Sequence, residues 1–159
     1  IGFTTLSHVD FVFCGPDAHF MTPFMKTFQS PEGGSTMMFP QLMGKRMASE
    51  VLMLDKTMTA KEAVACGFAN SIIPELETEP EWFDALKIPQ IKKLLSTDYT
   101  TLTNCKRIMN AAKDHKKFEE TLEIEGHGLL NSWLDKDFNG KLITYMQKLA
   151  SQKAQRAKL

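Results

Sequence analysis

The sequence predicts an α/β protein in which a few short strands are followed by a predominantly α-helical region. Val9, Phe11 and Phe13 fall on alternating positions, the period-2 pattern that is typical of a strand. From residue 30 onward, apolar residues instead recur at helical spacing. The most regular helical set is Phe138, Leu142, Tyr145, Met146 and Leu149. An acidic stretch at 75–81, ELETEPE, separates the mixed first part from the all-helical second part.

The composition is typical of an ordinary globular chain, and it argues against several classes of function. Hydrophobic residues make up 43% of the 159 residues, and 19 basic residues balance 19 acidic ones. This neutral balance argues against nucleic acid as the main partner, because phosphate binding favours a basic field. No apolar run approaches the roughly 20 residues of a membrane span. The three cysteines form no CxxC pair and the four histidines are scattered, so we expect no disulfide framework and no metal site.

The first 25 residues are predicted to form strands. Gly15-Pro16-Asp17 supplies a turn, and a second short strand is expected near residues 19–21. Another strand is predicted at 70–74, NSIIP. Because two or three short strands do not make a stable sheet alone, we expect the strands at the start to need partners that this chain lacks.

Helix signals follow in order along the chain. Ser30-Pro31-Glu32 predicts a helix start, with Ser as the N-cap, Pro at the first helical position and Glu in the electropositive first turn. This helix is expected to end near Gly44 and to be followed by a second helix over residues 45–54. Thr59-Ala60-Lys61-Glu62 matches the capping box of a third helix. The remaining sequence is predicted to be helical, with Gly126 and Gly128 as weak points.

A series of motifs between Asp10 and Pro74 carries a family resemblance. Thr-Pro-Phe is followed by Ser-Pro-Glu-Gly-Gly, then by Gly-Lys-x-x-Ala-x-Glu, and then by Thr-Ala-x-Glu-Ala. Together with the later text Glu-x-x-x-Leu-Leu-x-x-Trp-Leu, this order resembles the crotonase (enoyl-CoA hydratase/isomerase) superfamily. The Ser-Pro-Glu-Gly motif is most similar to the peroxisomal Δ3,Δ2-enoyl-CoA isomerases.

The resemblance implies a two-part organisation. Residues 1–75 correspond to the end of the spiral of stacked strands with its catalytic helix. Residues 76–159 correspond to the helical C-terminal region that makes trimer and acyl-CoA contacts. The N-terminal half of the fold is missing, so we expect the isolated chain to be inactive.

The same resemblance assigns the candidate site. Moving a double bond from C3–C4 to C2–C3 of an acyl-CoA requires one group that takes a proton from C2 and returns it to C4. Glu32 matches the isomerase carboxylate that does this, and Ile1 falls where the family places a backbone amide of the oxyanion hole. The substrate-binding candidates are Phe24, Gly33, Gly34, Met37 and Met38.

Two positions set the choice among crotonase-type reactions. Hydratases of the superfamily use two glutamates to handle water, and the matching positions here are Thr4 and Phe24. Neither side chain activates water, so isomerisation by Glu32 alone is preferred over hydration. The alternatives are an enoyl-CoA hydratase or another crotonase-type acyl-CoA reaction, and a non-catalytic acyl-CoA-binding or oligomerisation module.

The resemblance and the C-terminus also imply partners and a location. Ala157-Lys158-Leu159 is a conservative variant of the Ser-Lys-Leu peroxisomal signal, so we expect a peroxisomal import receptor as a partner and the peroxisomal matrix as the location. We also expect a homotrimer that binds an acyl-CoA substrate. No cofactor is expected beyond the coenzyme A of that substrate.

Overall fold

A computed structural model describes residues 1–73 and 88–156 of the chain, without the side chain of Arg156. The predicted acidic linker and the domain boundary after residue 75 lie outside these residues. The elements in chain order are α1 (Gly2–Leu6), β1 (Phe13–Cys14), β2 (His19–Phe20), α2 (Ser35–Met53), β3 (Met58–Thr59), α3 (Ala60–Ala65), β4 (Ser71–Ile72), α4 (Pro89–Leu95), α5 (Tyr99–Ala111), α6 (His115–Leu134) and α7 (Phe138–Arg156).

The strands pair with one another in two small sheets. β1 runs parallel to β4 with Phe13 opposite Ser71, and β2 runs antiparallel to β3 with His19 opposite Thr59. The short strands predicted near His19 and near Ser71 are therefore confirmed. The expectation that the first strands lack partners within the chain is wrong, since later segments at Met58 and Ser71 return to pair with them.

The prediction that the first 25 residues are strands is also wrong in part, because the chain opens with the short helix α1. The Ile1 carbonyl accepts hydrogen bonds from the Thr5 amide at 2.9 Å and from the Thr5 hydroxyl at 2.9 Å, which closes a helical turn. The alternating run that follows is mostly unpaired. Val9 is 48% exposed and Phe11 is 47% exposed, so alternation alone did not bury one face.

Helix α2 begins at Ser35 rather than at Ser30 or Pro31. Gly33 and Gly34 have φ values of 69° and 73°, which lie in the left-handed region and interrupt a right-handed helix. Glu32 therefore precedes the helix on a glycine turn instead of lying in its first turn. The predicted end near Gly44 is a kink, because its φ of 76° and ψ of 153° are non-helical and helical structure then resumes.

The core lies where α2 and α3 pack against the strands and α1. Its centre is a group of phenylalanines in which the Phe3 ring lies 4.7 Å from both the Phe39 ring and the Phe68 ring. Tilted and edge-on aromatic pairs of this kind each add about 0.5–1.5 kcal/mol beyond their buried area. Val51 and Met58, both at 0% exposure, belong to the same core.

The second part is helical as predicted. Helix α6 packs against α2 and α7, and it runs unbroken through Gly126 and Gly128. A Cβ at Gly128 would lie 2.9 Å from the Ser30 hydroxyl, so this glycine lets α6 approach the loop before α2. A Lys106–Asp10 ion pair joins α5 to the loop before β1. Within the described residues, no helix is both long and apolar enough to cross a membrane.

Candidate active site

The Glu32 side chain is held by a threonine from α1. The Thr4 hydroxyl donates to Glu32 Oε1 at 2.8 Å, and Thr4 is only 3% exposed. A hydroxyl has a single proton, and the Ile1 carbonyl lies at 2.9 Å as a competing acceptor. Because the Thr5 amide already serves that carbonyl, the Thr4 proton is free for the carboxylate. The contact orients one carboxylate oxygen and leaves the other available to a ligand.

Gly33 allows this approach and is fixed by a histidine. A Cβ at Gly33 would come within 3.1 Å of the Thr4 Cβ and 3.2 Å of its hydroxyl, so a side chain here would crowd the Thr4–Glu32 contact. The Gly33 carbonyl accepts a hydrogen bond from His8 Nε2 at 2.7 Å, which requires the proton on Nε2. The His8 ring also meets the edge of the Phe118 ring, with the ring centroids 5.4 Å apart.

Gly34 is fixed by a glutamate from α6. The Gly34 amide donates to Glu125 Oε2 at 2.7 Å, and the Thr36 amide and hydroxyl donate to Glu125 Oε1 at 2.9 and 2.6 Å. Glu125 is 5% exposed. Sequence reasoning assigned it no role in the site, although its spacing gives a signal. Phe118, Leu122, Glu125 and Leu129 share one helical face, so an acidic residue stands among apolar ones.

A cavity of about 550 Å³ opens beside the glycine turn, between α2 and the start of α6. It is lined by His8, Met37, Met38, Gln41, Ala112, Lys113, Asp114, His115, Lys117 and Phe118. The two predicted substrate-binding methionines therefore line one cavity together. The basic side chains Lys113 and Lys117 lie on the same wall as the apolar Phe118. Met and aromatic walls with a few polar groups are typical of ligand cavities.

The other predicted site residues occupy different places. Phe24 is 5% exposed and belongs to the hydrophobic core, and it does not line the cavity. Glu32, Gly33 and Gly34 are not among the lining residues either. Ile1 is 94% exposed at the N-cap of α1, and its carbonyl lies 2.9 Å from the Thr4 hydroxyl that donates to Glu32. The candidate targeting residues Ala157, Lys158 and Leu159 lie outside the described residues. Within residues 1–73 and 88–156, no three His, Cys, Asp or Glu side chains group as a metal site requires.

Comparison with known proteins identifies the family. The family model Enoyl-CoA hydratase/isomerase matches residues 2–156. The chain belongs to this family, and the predicted resemblance to the crotonase superfamily is confirmed.

The curated relatives include enoyl-CoA delta isomerases and chromodomain proteins. The chain is 42% identical over 87 residues to enoyl-CoA delta isomerase 3, peroxisomal, from Mus musculus, a match that covers 55% of this chain and 27% of the relative. It is 29% identical over 147 residues to testis-specific chromodomain protein Y 2 from Homo sapiens, covering 92% of this chain and 26% of the relative. The matched segments thus span about a quarter of these relatives.

Solved structures confirm the predicted crotonase-type α/β fold. An enoyl-CoA hydratase/isomerase from Pseudoalteromonas atlantica superposes with a TM-score of 0.78 at 20% identity, over 92% of this chain and 57% of that one. OdaA from Pseudomonas aeruginosa superposes with a TM-score of 0.76 at 27% identity, over 91% of this chain and 57% of that one. The chain therefore spans somewhat more than half of the solved members it matches.

Proposed function

We propose that the protein is a Δ3,Δ2-enoyl-CoA isomerase of fatty-acid β-oxidation in which Glu32 is the only acid/base group. The observation that carries the proposal is the placement of Glu32. Its carboxylate is oriented by the Thr4 hydroxyl at 2.8 Å. The glycine turn that follows it is bonded to His8, which lines the cavity. The partial match to an enoyl-CoA delta isomerase, 42% identical over 87 residues, supports it.

The proposed reaction moves one proton and one double bond. The Glu32 carboxylate takes a proton from C2 of a 3-enoyl-CoA, and the electron pair spreads over C2 to C4 and onto the thioester oxygen. The protonated Glu32 then gives a proton to C4, which leaves the double bond between C2 and C3. The thioester oxygen needs amide donors at the dienolate stage, and the Ile1 amide is the proposed donor from this chain. Removal of one such donor typically costs about 10²–10³ in rate.

The cavity suits an acyl-CoA. Met37, Met38 and Phe118 offer apolar contacts for the acyl chain. Lys113 and Lys117 on the same cavity offer positive charge for the phosphates of coenzyme A. The proposed reaction needs no cofactor beyond that coenzyme A.

The arrangement favours isomerisation over hydration, which is the first alternative. The family resemblance implies that hydratases use two glutamates to handle water. Thr4 supplies a hydroxyl that is already engaged with Glu32, and Phe24 is packed in the core at 5% exposure. The second alternative is a non-catalytic acyl-CoA-binding module, because one fold supports several functions. A relative with a different kind of name, the chromodomain protein, matches 92% of this chain.

Substitution of the carboxylate tests the isomerase assignment. In the complete protein, Glu32→Gln removes the proton acceptor but keeps the side-chain shape. We expect kcat for 3-enoyl-CoA to fall by about 10²-fold or more with KM nearly unchanged, measured by formation of the conjugated 2-enoyl thioester. Glu123→Gln, an exposed change on α6, is the matched control.

Three results would count against the assignment. Unchanged turnover of 3-enoyl-CoA by Glu32→Gln would remove Glu32 from the reaction. Faster hydration of a 2-enoyl-CoA than isomerisation by the wild type would favour the hydratase. Acyl-CoA binding in calorimetry without turnover of either substrate would favour the non-catalytic module.

Location and assembly complete the proposal. The protein is proposed to act in the peroxisomal matrix as a homotrimer, and its relative enoyl-CoA delta isomerase 3 is named peroxisomal. The import receptor would read Ala157-Lys158-Leu159. A fluorescent fusion that keeps these three residues at its C-terminus should enter peroxisomes, and the same fusion without them should stay outside. Equal import of both fusions would contradict the signal.

A further inference from the structure

A buried carboxylate from α6 accepts hydrogen bonds from the glycine turn that follows Glu32 and from the first turn of α2. Glu125 is 5% exposed, and its hydrogen bonds in the described structure come from the Gly34 amide, the Thr36 amide and the Thr36 hydroxyl. Burial of an isolated carboxylate is strongly unfavourable, so its hydrogen-bond donors have to remain in place. All three distances lie between 2.6 and 2.9 Å, as expected for charge-assisted bonds.

The donors belong to the part of the chain that most needs restraint. Gly33 and Gly34 are both at positive φ, and glycine has the largest conformational freedom to lose. The Gly34 and Thr36 amides are among the first amides of α2, which have no partner within the helix. Glu125 therefore fixes the glycine turn and also caps the N-terminus of α2.

The turn that Glu125 holds in place also orients the Glu32 side chain. Three consecutive residues are anchored at three points: the Glu32 carboxylate by Thr4, the Gly33 carbonyl by His8 and the Gly34 amide by Glu125. Two anchors come from the first ten residues. The third anchor comes from the helical part of the chain, so the orientation of Glu32 depends on the position of α6.

We propose that Glu125 is a positioning residue that sets the geometry of Glu32 through the Gly33–Gly34 turn. This inference rests on the proposed catalytic role of Glu32. Glu125 does not touch the substrate in this proposal. Its effect reaches the reaction through the backbone, and a misplacement of a reacting group by about 1 Å can cost about 10²-fold in rate.

The test separates an effect on the orientation of Glu32 from an effect on substrate binding. Glu125→Gln keeps the size of the side chain but turns one acceptor into an NH₂ donor that faces a backbone or hydroxyl donor. In the complete protein we expect kcat to fall about 10- to 100-fold while KM stays within about threefold. The Gly34 and Thr36 amides should lose protection from hydrogen exchange. Glu123→Gln, exposed on the same helix, should leave both readouts unchanged.

A milder variant covers the case in which Glu125→Gln fails to fold. Thr36→Val removes only the hydroxyl contact to Glu125 Oε1 and alters an exposed residue. It should lower kcat by a few-fold with KM unchanged. Unchanged kcat in Thr36→Val together with a misfolded Glu125→Gln would reduce Glu125 to a stability role and overturn the proposal.

Failure of the isomerase assignment is distinguishable from failure of this inference. If the wild type does not turn over 3-enoyl-CoA, the isomerase proposal fails, and the side-chain carboxyl ¹³C resonance of Glu32 becomes the readout. That resonance should move in Glu125→Gln and stay in Glu123→Gln. An unmoved resonance, or full kcat despite lost protection at Gly34, would overturn the positioning role.

Discussion

The Thr4 hydroxyl decides which way the Glu32 carboxylate points. Thr4 is 3% exposed, and its hydroxyl donates to Glu32 Oε1 at 2.8 Å. In the proposed isomerase this contact would orient the single catalytic carboxylate.

Removal of that hydroxyl should impair the reaction without unfolding the protein. Thr4→Val keeps the shape and deletes a hydrogen bond to a charged group, which is worth roughly 1.5–3 kcal/mol. We expect kcat for 3-enoyl-CoA to fall about tenfold or more. Thr5→Val is the control, because its exposed hydroxyl bonds only the Ile1 carbonyl. Equal kcat values in the two variants would show that Thr4 does not orient Glu32.

Gly34 faces both a backbone and a steric requirement. A left-handed conformation costs a non-glycine residue about 1–3 kcal/mol, and a Cβ at Gly34 would lie 2.4 Å from the Phe118 ring. Gly34→Ala should therefore lower the urea midpoint of unfolding by more than the backbone cost alone. In a Phe118→Ala background the steric part should vanish and the backbone part should remain. Strictly additive effects of the two substitutions would contradict the predicted clash.

At the scale of elements, α3 shows how a local sequence signal becomes structure. The predicted capping box is confirmed: the Thr59 hydroxyl accepts from the Glu62 amide, and Glu62 accepts from the Thr59 amide at 2.9 Å. The Thr59 amide, with Lys56 and the Thr59 hydroxyl, lowers the pKa of Glu62 from 4.5 to about 2. The capping box lies within the four residues 59–62, so the sequence alone was sufficient to find it. Lys56 lies three residues before the box.

This lowered pKa gives α3 a defined dependence on pH. A carboxylate whose pKa is lower in the folded state stabilises the fold at pH values above its unfolded-state pKa. For Glu62 this stabilisation is lost as the pH falls from about 4.5 towards 2. The difference in urea midpoint between wild type and Glu62→Gln should be largest near neutral pH and should shrink over this window. A difference that stays constant between pH 6 and pH 2.5 would contradict the cap.

At the scale of the whole molecule, the helical part keeps apolar side chains on its surface. Ile108 is 61% exposed, Trp133 is 52% exposed and Met146 is 57% exposed in the single chain. Contact with neighbouring subunits would cover such side chains in the proposed homotrimer. Sedimentation of the complete protein should give three times the chain mass, and Met146→Lys should shift it to smaller species. A monomer at micromolar concentration would contradict the trimer.

Features that depend on residues close together in the sequence were easier to predict than features that depend on distant residues. The capping box and the helices from residue 88 onward depend on local patterns, and these predictions are confirmed. The short helix α1, in contrast, was predicted as strand. The helix start was misplaced because the positive φ values of Gly33 and Gly34 depend on Thr4, His8 and Glu125, which are distant in sequence. Glu125 received no role for the same reason, since helical spacing shows that it lies on an apolar face but not what it meets there.

The Glu125 contact also sets a time order during synthesis. Gly34 and Glu125 are separated by 91 residues, so the amide of the glycine turn emerges from the ribosome long before its acceptor. At about 5–20 residues per second, the delay is roughly 5–20 s. During that interval the turn already has its Thr4 and His8 partners but lacks Glu125. The set of three anchors is therefore complete only after α6 has been synthesised.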